Sequence, residues 1–309
     1  ALDDLDADRF ARRGVGAGVG RLAPRHERQQ RADMQSHGQD RRHAECHTPP
    51  LLRSWSWRSY KLGIDGRMLA RRRVLLRRDE GDRAEPVLEA HDLTLSFGET
   101  PALRGAGVSV AAGELIAVMG PSGSGKSTLL HCLAGILVPD AGEVYFAGQR
   151  VDTLRESERS ELRRRRFGFV FQFGQLVPEL TAEENVALPL LLNGVGRAEA
   201  LATARGWFER LDLGGLERRR SGELSGGQAQ RVALARGMVA DPDVVFADEP
   251  TGSLDSLAGE QVMELLVGAA RDQGSTVVLV THEPRVAAYA DREVIVRDGK
   301  VTAPVTAAA

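Results

Sequence analysis

The chain has 309 residues, room for one large domain or two small ones, and its 42% hydrophobic and 27% charged content is ordinary for a soluble globular protein. A formal net charge of −2 gives no case for a nucleic-acid partner, and the longest apolar run, residues 186–192, falls far short of the roughly 20 residues that cross a bilayer. Two cysteines, Cys46 and Cys132, exclude a disulfide framework and fit a reducing compartment.

The average hides a split: residues 1–85 carry a net charge of +6 and the remainder −8. Residues 1–85 show no sustained period of 2 or 3.6 and are rich in Arg, Gln, His, Gly and Asp, as in "RHERQQRADMQSHGQDRRHAECH". Such a composition buries little, so a disordered basic tail is expected. A basic arm for an anionic surface and upstream sequence ahead of a true start at Met68 are both compatible with it. "MLARRRVLLRR" (residues 68–78) has the make-up of a basic amphipathic helix for a membrane surface.

Order is expected from Pro86. "VLEAHDLTLSF" (residues 87–97) alternates apolar and polar residues like a half-buried strand, and "LRGAGVSVAAGE" continues in that style. "ELIAVM" (residues 114–119) is a buried strand running into a glycine loop, and "GEVYFAG" (residues 142–148) alternates again. From about Glu156 to Ala240 the pattern is mostly helical. "RRRR" (residues 163–166) reads as the solvated end of a helix entering the strand "FGFVFQ". "VVFADE" (residues 244–249) and "TVVLVTH" (residues 276–282) are near-continuous apolar runs, as parallel strands buried on both faces require. "VIVRDGKVT" closes as a hairpin with an Asp-Gly turn. The order predicts an α/β fold with an antiparallel β part first and a helical insert in the middle.

"GPSGSGKST" (residues 120–128) follows a strand and precedes a helix, the context that a G-x-x-x-x-G-K-[ST] phosphate loop demands. Gly120, Gly123 and Gly125 let the backbone turn its N–H groups, with those of Ser122 and Ser124, toward phosphate oxygens. The N-terminus of the following helix, entered at Ser127 and Thr128, adds partial positive charge. Lys126 reaches the β- and γ-phosphates, and the Ser127 hydroxyl reaches Mg²⁺. Asp248, at the end of a buried strand, can join the Mg²⁺ shell. Glu249 beside it can orient or deprotonate the water that attacks the γ-phosphate. Cys132 lies on the apolar face of the helix after the loop and reads as a core thiol.

A second glycine turn, "LSGGQAQR" (residues 224–231), opens another helix but has no strand before it and no Lys after it. With these motifs the chain resembles the ATP-binding subunits of ABC transporters, over about residues 87–301. The resemblance implies a P-loop NTPase with a RecA-like core, an antiparallel β subdomain and a helical signature subdomain at about residues 176–236. The ATPase domain would run over residues 86–302 and a flexible tail over 303–309. It further implies that Phe97 stacks on adenine, and that Gln172 in "FVFQFGQL" touches Mg²⁺ or the attacking water and faces the membrane partner. Ser253 to Asp255 in "TGSLD" match the D-loop, with Asp255 taken as a nucleotide-binding residue, and His282 in "LVTHE" matches the switch histidine at the γ-phosphate.

In that family two nucleotide domains meet head to tail around two ATP molecules. Ser225, Gly226, Gly227 and Gln228 would hold the ATP bound to the partner's P-loop. The implied partners are a second ATP-binding subunit, in the simplest case another copy, and integral membrane permease subunits. The implied place is cytoplasmic, peripheral on the inner face of the cell membrane. "LRRRRFGFVFQFGQLVPELTAEENVALPLLL" and "ADEPTGSLD" look like the lipoprotein-releasing, macrolide-exporting and cell-division ATPases. Ser253, where "TGNLD" is more usual, is a small departure. Two alternatives stand beside this: an ATPase that regulates a cell-wall hydrolase through a membrane partner, and a soluble, non-transport ABC ATPase.

Overall fold

A computed structural model of the chain describes residues 86–302. The expected basic tail, the start at Met68, the surface helix at residues 68–78 and the flexible tail at 303–309 lie outside the described residues.

The first two strands, β1 (Pro86–Phe97) and β2 (Thr100–Ala111), form an antiparallel hairpin, with Leu88, Leu93 and Leu95 buried on the alternating face of β1. β3 (Leu115–Met119) leads through a loop into α1 (Lys126–Leu133). β4 (Ala141–Phe146) and β5 (Gln149–Arg150) then return to β1, completing a four-stranded sheet of order β2-β1-β4-β5. The antiparallel part is therefore not a single leading block: β3 and α1 are threaded between its two halves. Period-2 patterning shows that a segment is a strand but not which neighbour it pairs with, so the sequence could not reveal this interruption.

α2 (Glu156–Arg166) delivers the chain to β6 (Phe167–Phe171). α3 (Ala182–Leu192), α4 (Arg197–Arg210), a single 3₁₀ turn (Ser221–Glu223) and α5 (Gly226–Met238) follow. β7 (Val244–Asp248), α6 (Ser256–Gln273), β8 (Thr276–Val280), the short α7 (Pro284–Ala287), β9 (Arg292–Arg297) and β10 (Lys300–Thr302) complete the second sheet. Its order is β10-β9-β3-β8-β7-β6, parallel except for β10. The β9–β10 turn has positive φ at Asp298 (50°) and Gly299 (75°), the geometry that an Asp-Gly hairpin demands.

The central strands are only five residues long, too short to persist without packing. In β7 and β8 the residues Val244, Phe246, Val278 and Val280 join one core with α1 and the antiparallel sheet. Their neighbours Val245, Ala247, Val277 and Leu279 join a second core with α3 to α6. Each fully buried Val or Leu contributes about 1.5–3 kcal/mol, and both faces of these strands contribute it. That double burial explains the unbroken apolar runs in the sequence.

The arginine run ends α2 with Arg164, Arg165 and Arg166 exposed, as expected, and Arg163 half-buried. Arg163 pairs with Glu156 and donates to the carbonyl of Gly135, while Arg166 pairs with Asp243 and lies over the Phe146 ring at 5.4 Å. Cys132 is buried in the first core, and burial pushes its thiol up to about 12.

Candidate functional site

β3, β8, β7 and β6 lie side by side, and the segment leaving the C-terminal end of each carries one piece of the site. In open parallel sheets this is where ligands bind. From β3 comes the glycine loop, from β6 Gln172, from β7 Asp248 and Glu249, and from β8 His282. In register, Asp248 lies opposite Val280 on one side and Phe171 on the other.

The glycine loop is shaped by close backbone approach. Gly120 (φ 149°) rests against the Val296 carbonyl, and Gly125 (φ 103°) lies where a Cβ would come within 2.5 Å of the Ala102 carbonyl oxygen. No L-side chain fits either place, so the cradle needs glycine there. Gly125 also begins α1 without any side-chain cap, so its first-turn N–H groups have no side-chain acceptor. The Ser124 Oγ is buried with no hydrogen-bond partner among the described residues. Lys126 is buried and donates from Nζ to the carbonyls of Gly120 (3.0 Å) and Pro121 (2.9 Å). Two of its three ammonium donors thus stiffen the loop, and one remains for an anion. Ser122 and Gly123 are exposed at the loop surface, and Thr128 is half-buried in α1.

The Ser127 Oγ stands 3.3 Å from Oδ1 of Asp248. Burial pushes the Asp248 carboxyl above the usual carboxylate value, opposed by the Ser127 hydrogen bond and the nearby Lys126 charge. A hydroxyl beside a desolvated carboxylate is a hard-oxygen donor set, the kind that suits Mg²⁺.

Glu249 leaves β7 with φ 46°, unusual for a side chain of this size. Its N–H donates to the Val280 carbonyl at 2.9 Å, which fastens the strained turn to β8. Its Oε1 lies 3.0 Å from Nδ1 of His282. The Nδ1–H tautomer donates to this oxygen and leaves Nε2 as the ring's second polar atom. A Cβ at Gly252 would lie 2.7 Å from Nε2 of Gln172 and 3.3 Å from Oε2 of Glu249, so the amide and the carboxylate adjoin the same glycine. Phe97 is 56% exposed at the end of β1, not a core residue, and presents a free aromatic face.

The signature turn has a different construction. Ser225 caps α5: its Oγ accepts from the Gln228 N–H (3.3 Å), and its own N–H donates to Oε1 of Gln228 (2.9 Å). Gln228 therefore closes a capping box. Gly226 and Gly227 sit inside the first helical turn, beside Leu254 and Ala258. Asp255 likewise caps α6 through the Ala258 N–H at 2.9 Å.

Three side chains anchor this region: Ser253, which the sequence already places in the D-loop, and Gln230 and Arg236, which it does not single out. Ser253 donates to the Gln172 carbonyl (2.7 Å), Gln230 to that of Phe171 (2.8 Å), and Arg236 to those of Gly174 (2.7 Å) and Gln175 (2.8 Å). The one sequence signal for Arg236 is a charge within the apolar stretch "VALARGMVA".

Comparison with known proteins identifies the family and the fold. The family model described as "ABC transporter" matches residues 103–252. The lipoprotein-releasing system ATP-binding protein LolD of Xanthomonas campestris pv. campestris (strain 8004) is 42% identical over 231 residues, covering 74% of this chain and 97% of that protein. The macrolide export ATP-binding/permease protein MacB of Marinobacter nauticus is 44% identical over 220 residues, 70% of this chain. The match spans only 34% of that longer protein. Among solved structures, the dimeric post-hydrolysis state of the ATP-binding cassette MJ0796 bound to ADP and Pi aligns with a TM-score of 0.66 and 37% identity, over 70% of this chain and 97% of that one. The cbiO1 structure from Clostridium perfringens, part of the ABC transporter complex cbiONQ, aligns with a TM-score of 0.65 and 28% identity, over 71% and 88%.

Proposed function

The chain belongs to the ABC transporter family as an ATP-binding, ATP-hydrolysing subunit, and from that premise we propose that it powers a separate membrane permease of the lipoprotein-release, macrolide-export or cell-division type. One observation carries the catalytic part of this reading. Lys126, Asp248, Glu249, Gln172 and His282 converge from segments leaving four adjacent strands.

In the proposed mechanism the glycine loop and the N-terminus of α1 hold the ATP phosphates, with backbone N–H groups and Lys126 supplying positive charge. Phe97 stacks on the adenine. Ser127 and Asp248, with Gln172, would hold Mg²⁺, which when bound neutralises charge on the β- and γ-phosphates. Glu249 orients the attacking water and accepts its proton at a carboxylate oxygen. His282 holds that carboxylate through Nδ1 and turns Nε2 to the γ-phosphate. The D-loop, Asp255 included, keeps Gly252 against both Gln172 and Glu249.

Ser225, Gly226, Gly227 and Gln228 are proposed to close over ATP bound to the P-loop of a second copy. Their support is the small first turn of α5 and the dimeric state of the MJ0796 cassette. Residues 86–302 would act as the ATPase domain, with residues 176–236 as its helical part. The subunit would sit at the cytoplasmic face of the membrane, held there by its permease. No helix among the described residues is long and apolar enough to cross a membrane, which fits a role beside a permease.

Purifying the chain with its membrane subunit from native cells tests the finer assignment. A four-span permease with a large extracytoplasmic domain is expected. A six-span permease beside a solute-binding protein would overturn the export and release reading.

A further inference from the structure

Arg236 lies in the last turn of α5, half-buried, and makes no ion pair among the described residues. Partial burial pushes its guanidinium below its ordinary value. What it holds is backbone. Nη2 donates to the Gly174 carbonyl and Nη1 to the Gln175 carbonyl, the two residues that turn the chain just after Gln172. Both have left-handed backbones, Gly174 at φ 67° and Gln175 at φ 45°. A Cβ on Gly174 would press within 3.3 Å of the Ala229 carbonyl oxygen, so α5 packs directly on this turn. On the other side of Gln172, Gln230 of the same helix holds the Phe171 carbonyl, and Ser253 holds that of Gln172 itself.

The Gln172 segment is thus clamped before and after by side chains of one helix, the helix that begins at the signature turn. A planar guanidinium spans two carbonyls at once, which a lysine ammonium cannot do as well. We propose that Arg236 is a positioning residue for ATP hydrolysis: it fixes the backbone at Gly174 and Gln175 and so sets where the Gln172 amide stands against Gly252 and Glu249. The proposal rests on the reading that Gln172 serves the reacting phosphate. It also makes α5 a direct mechanical link between the signature turn and Gln172.

The test is a double-mutant cycle in steady-state ATP hydrolysis by the full chain, with Arg236→Gln, Gln172→Ala and both together. Arg236→Gln is expected to lower kcat about tenfold while KM for ATP changes by less than about twofold. In the Gln172→Ala background the same substitution is expected to cause no further loss, because its effect passes through an amide already removed. Should Arg236→Gln not fold, Arg236→Lys replaces it, with a smaller fall in kcat expected and the same silence beside Gln172→Ala. Multiplying losses, a rise in KM at constant kcat, or native turnover in Arg236→Lys would overturn the positioning role while leaving the site itself standing. Native turnover in Gln172→Ala would instead remove Gln172 from the reaction, and this proposal with it.

Discussion

Two glycine turns open helices in this molecule, and they are built in opposite ways. At the P-loop, α1 begins at Gly125 in a left-handed conformation with no side-chain cap, and Gly120 and Gly125 press on neighbouring backbone where no Cβ fits. At the signature turn, α5 begins at Ser225 with a closed capping box, and its glycines are helical. The first turn keeps its amide donors for a ligand and brings its own cation, Lys126. The second spends the Ser225 and Gln228 N–H groups on its capping box and offers mainly a small, uncharged surface. A complete anion cradle needs conformational freedom at its glycines, whereas half of a shared site needs only room for another surface to approach.

Breaking the complete half should cost most. Glu249→Gln keeps the shape and removes the proton acceptor, so turnover should fall at least about a hundredfold. ATP binding should persist and a stable ATP-bound dimer should accumulate, seen by size exclusion with labelled nucleotide. Hydrolysis at the native rate would remove Glu249 from the base role.

A charge in the shared half should come next and should separate function from fold. Gly227→Asp places a carboxylate at the second helical position of α5. There it favours the helix dipole by about 0.3–1 kcal/mol but opposes any phosphate brought to the turn. The melting temperature should hold or rise while ATP turnover falls about tenfold or more. A fall in both would mean that the turn matters only for folding.

The smallest effect sharpens the comparison from outside the site. Cys132 lies in the last turn of the P-loop helix, and burial pushes its thiol up to about 12, so at pH 8 it stays protonated. Alkylation of the native protein should leave Cys132 unmodified by peptide mapping, with ATPase activity unchanged. Unfolding should expose it to reaction.

What was legible in the sequence follows the same division. The P-loop, Asp248 and Glu249 lie in short contiguous motifs flanked by apolar runs, and local pattern suffices to find them. β4 pairs with β1 across the whole of β3 and α1, and no local pattern reports that. Gln230, Arg236 and Ser253 act on the Gln172 segment from about 60 to 80 positions away, so only the packing of α5 and the D-loop reveals these contacts. Gln228 and Asp255 read as ligand residues in the sequence. The structure gives each a capping duty as well, because polar residues near helix starts satisfy the first-turn amides before anything else.

The central claim is that the signature turn completes a site on another copy, and mixing two disabled variants tests it most directly. Lys126→Ala and Gly227→Asp should each be nearly inactive alone. Mixed in equal amounts with ATP, they should recover about a quarter of native turnover, since half of randomly formed pairs are mixed and each mixed pair holds one intact site. No recovery at any ratio, with mixed dimers present, would contradict a site shared between copies.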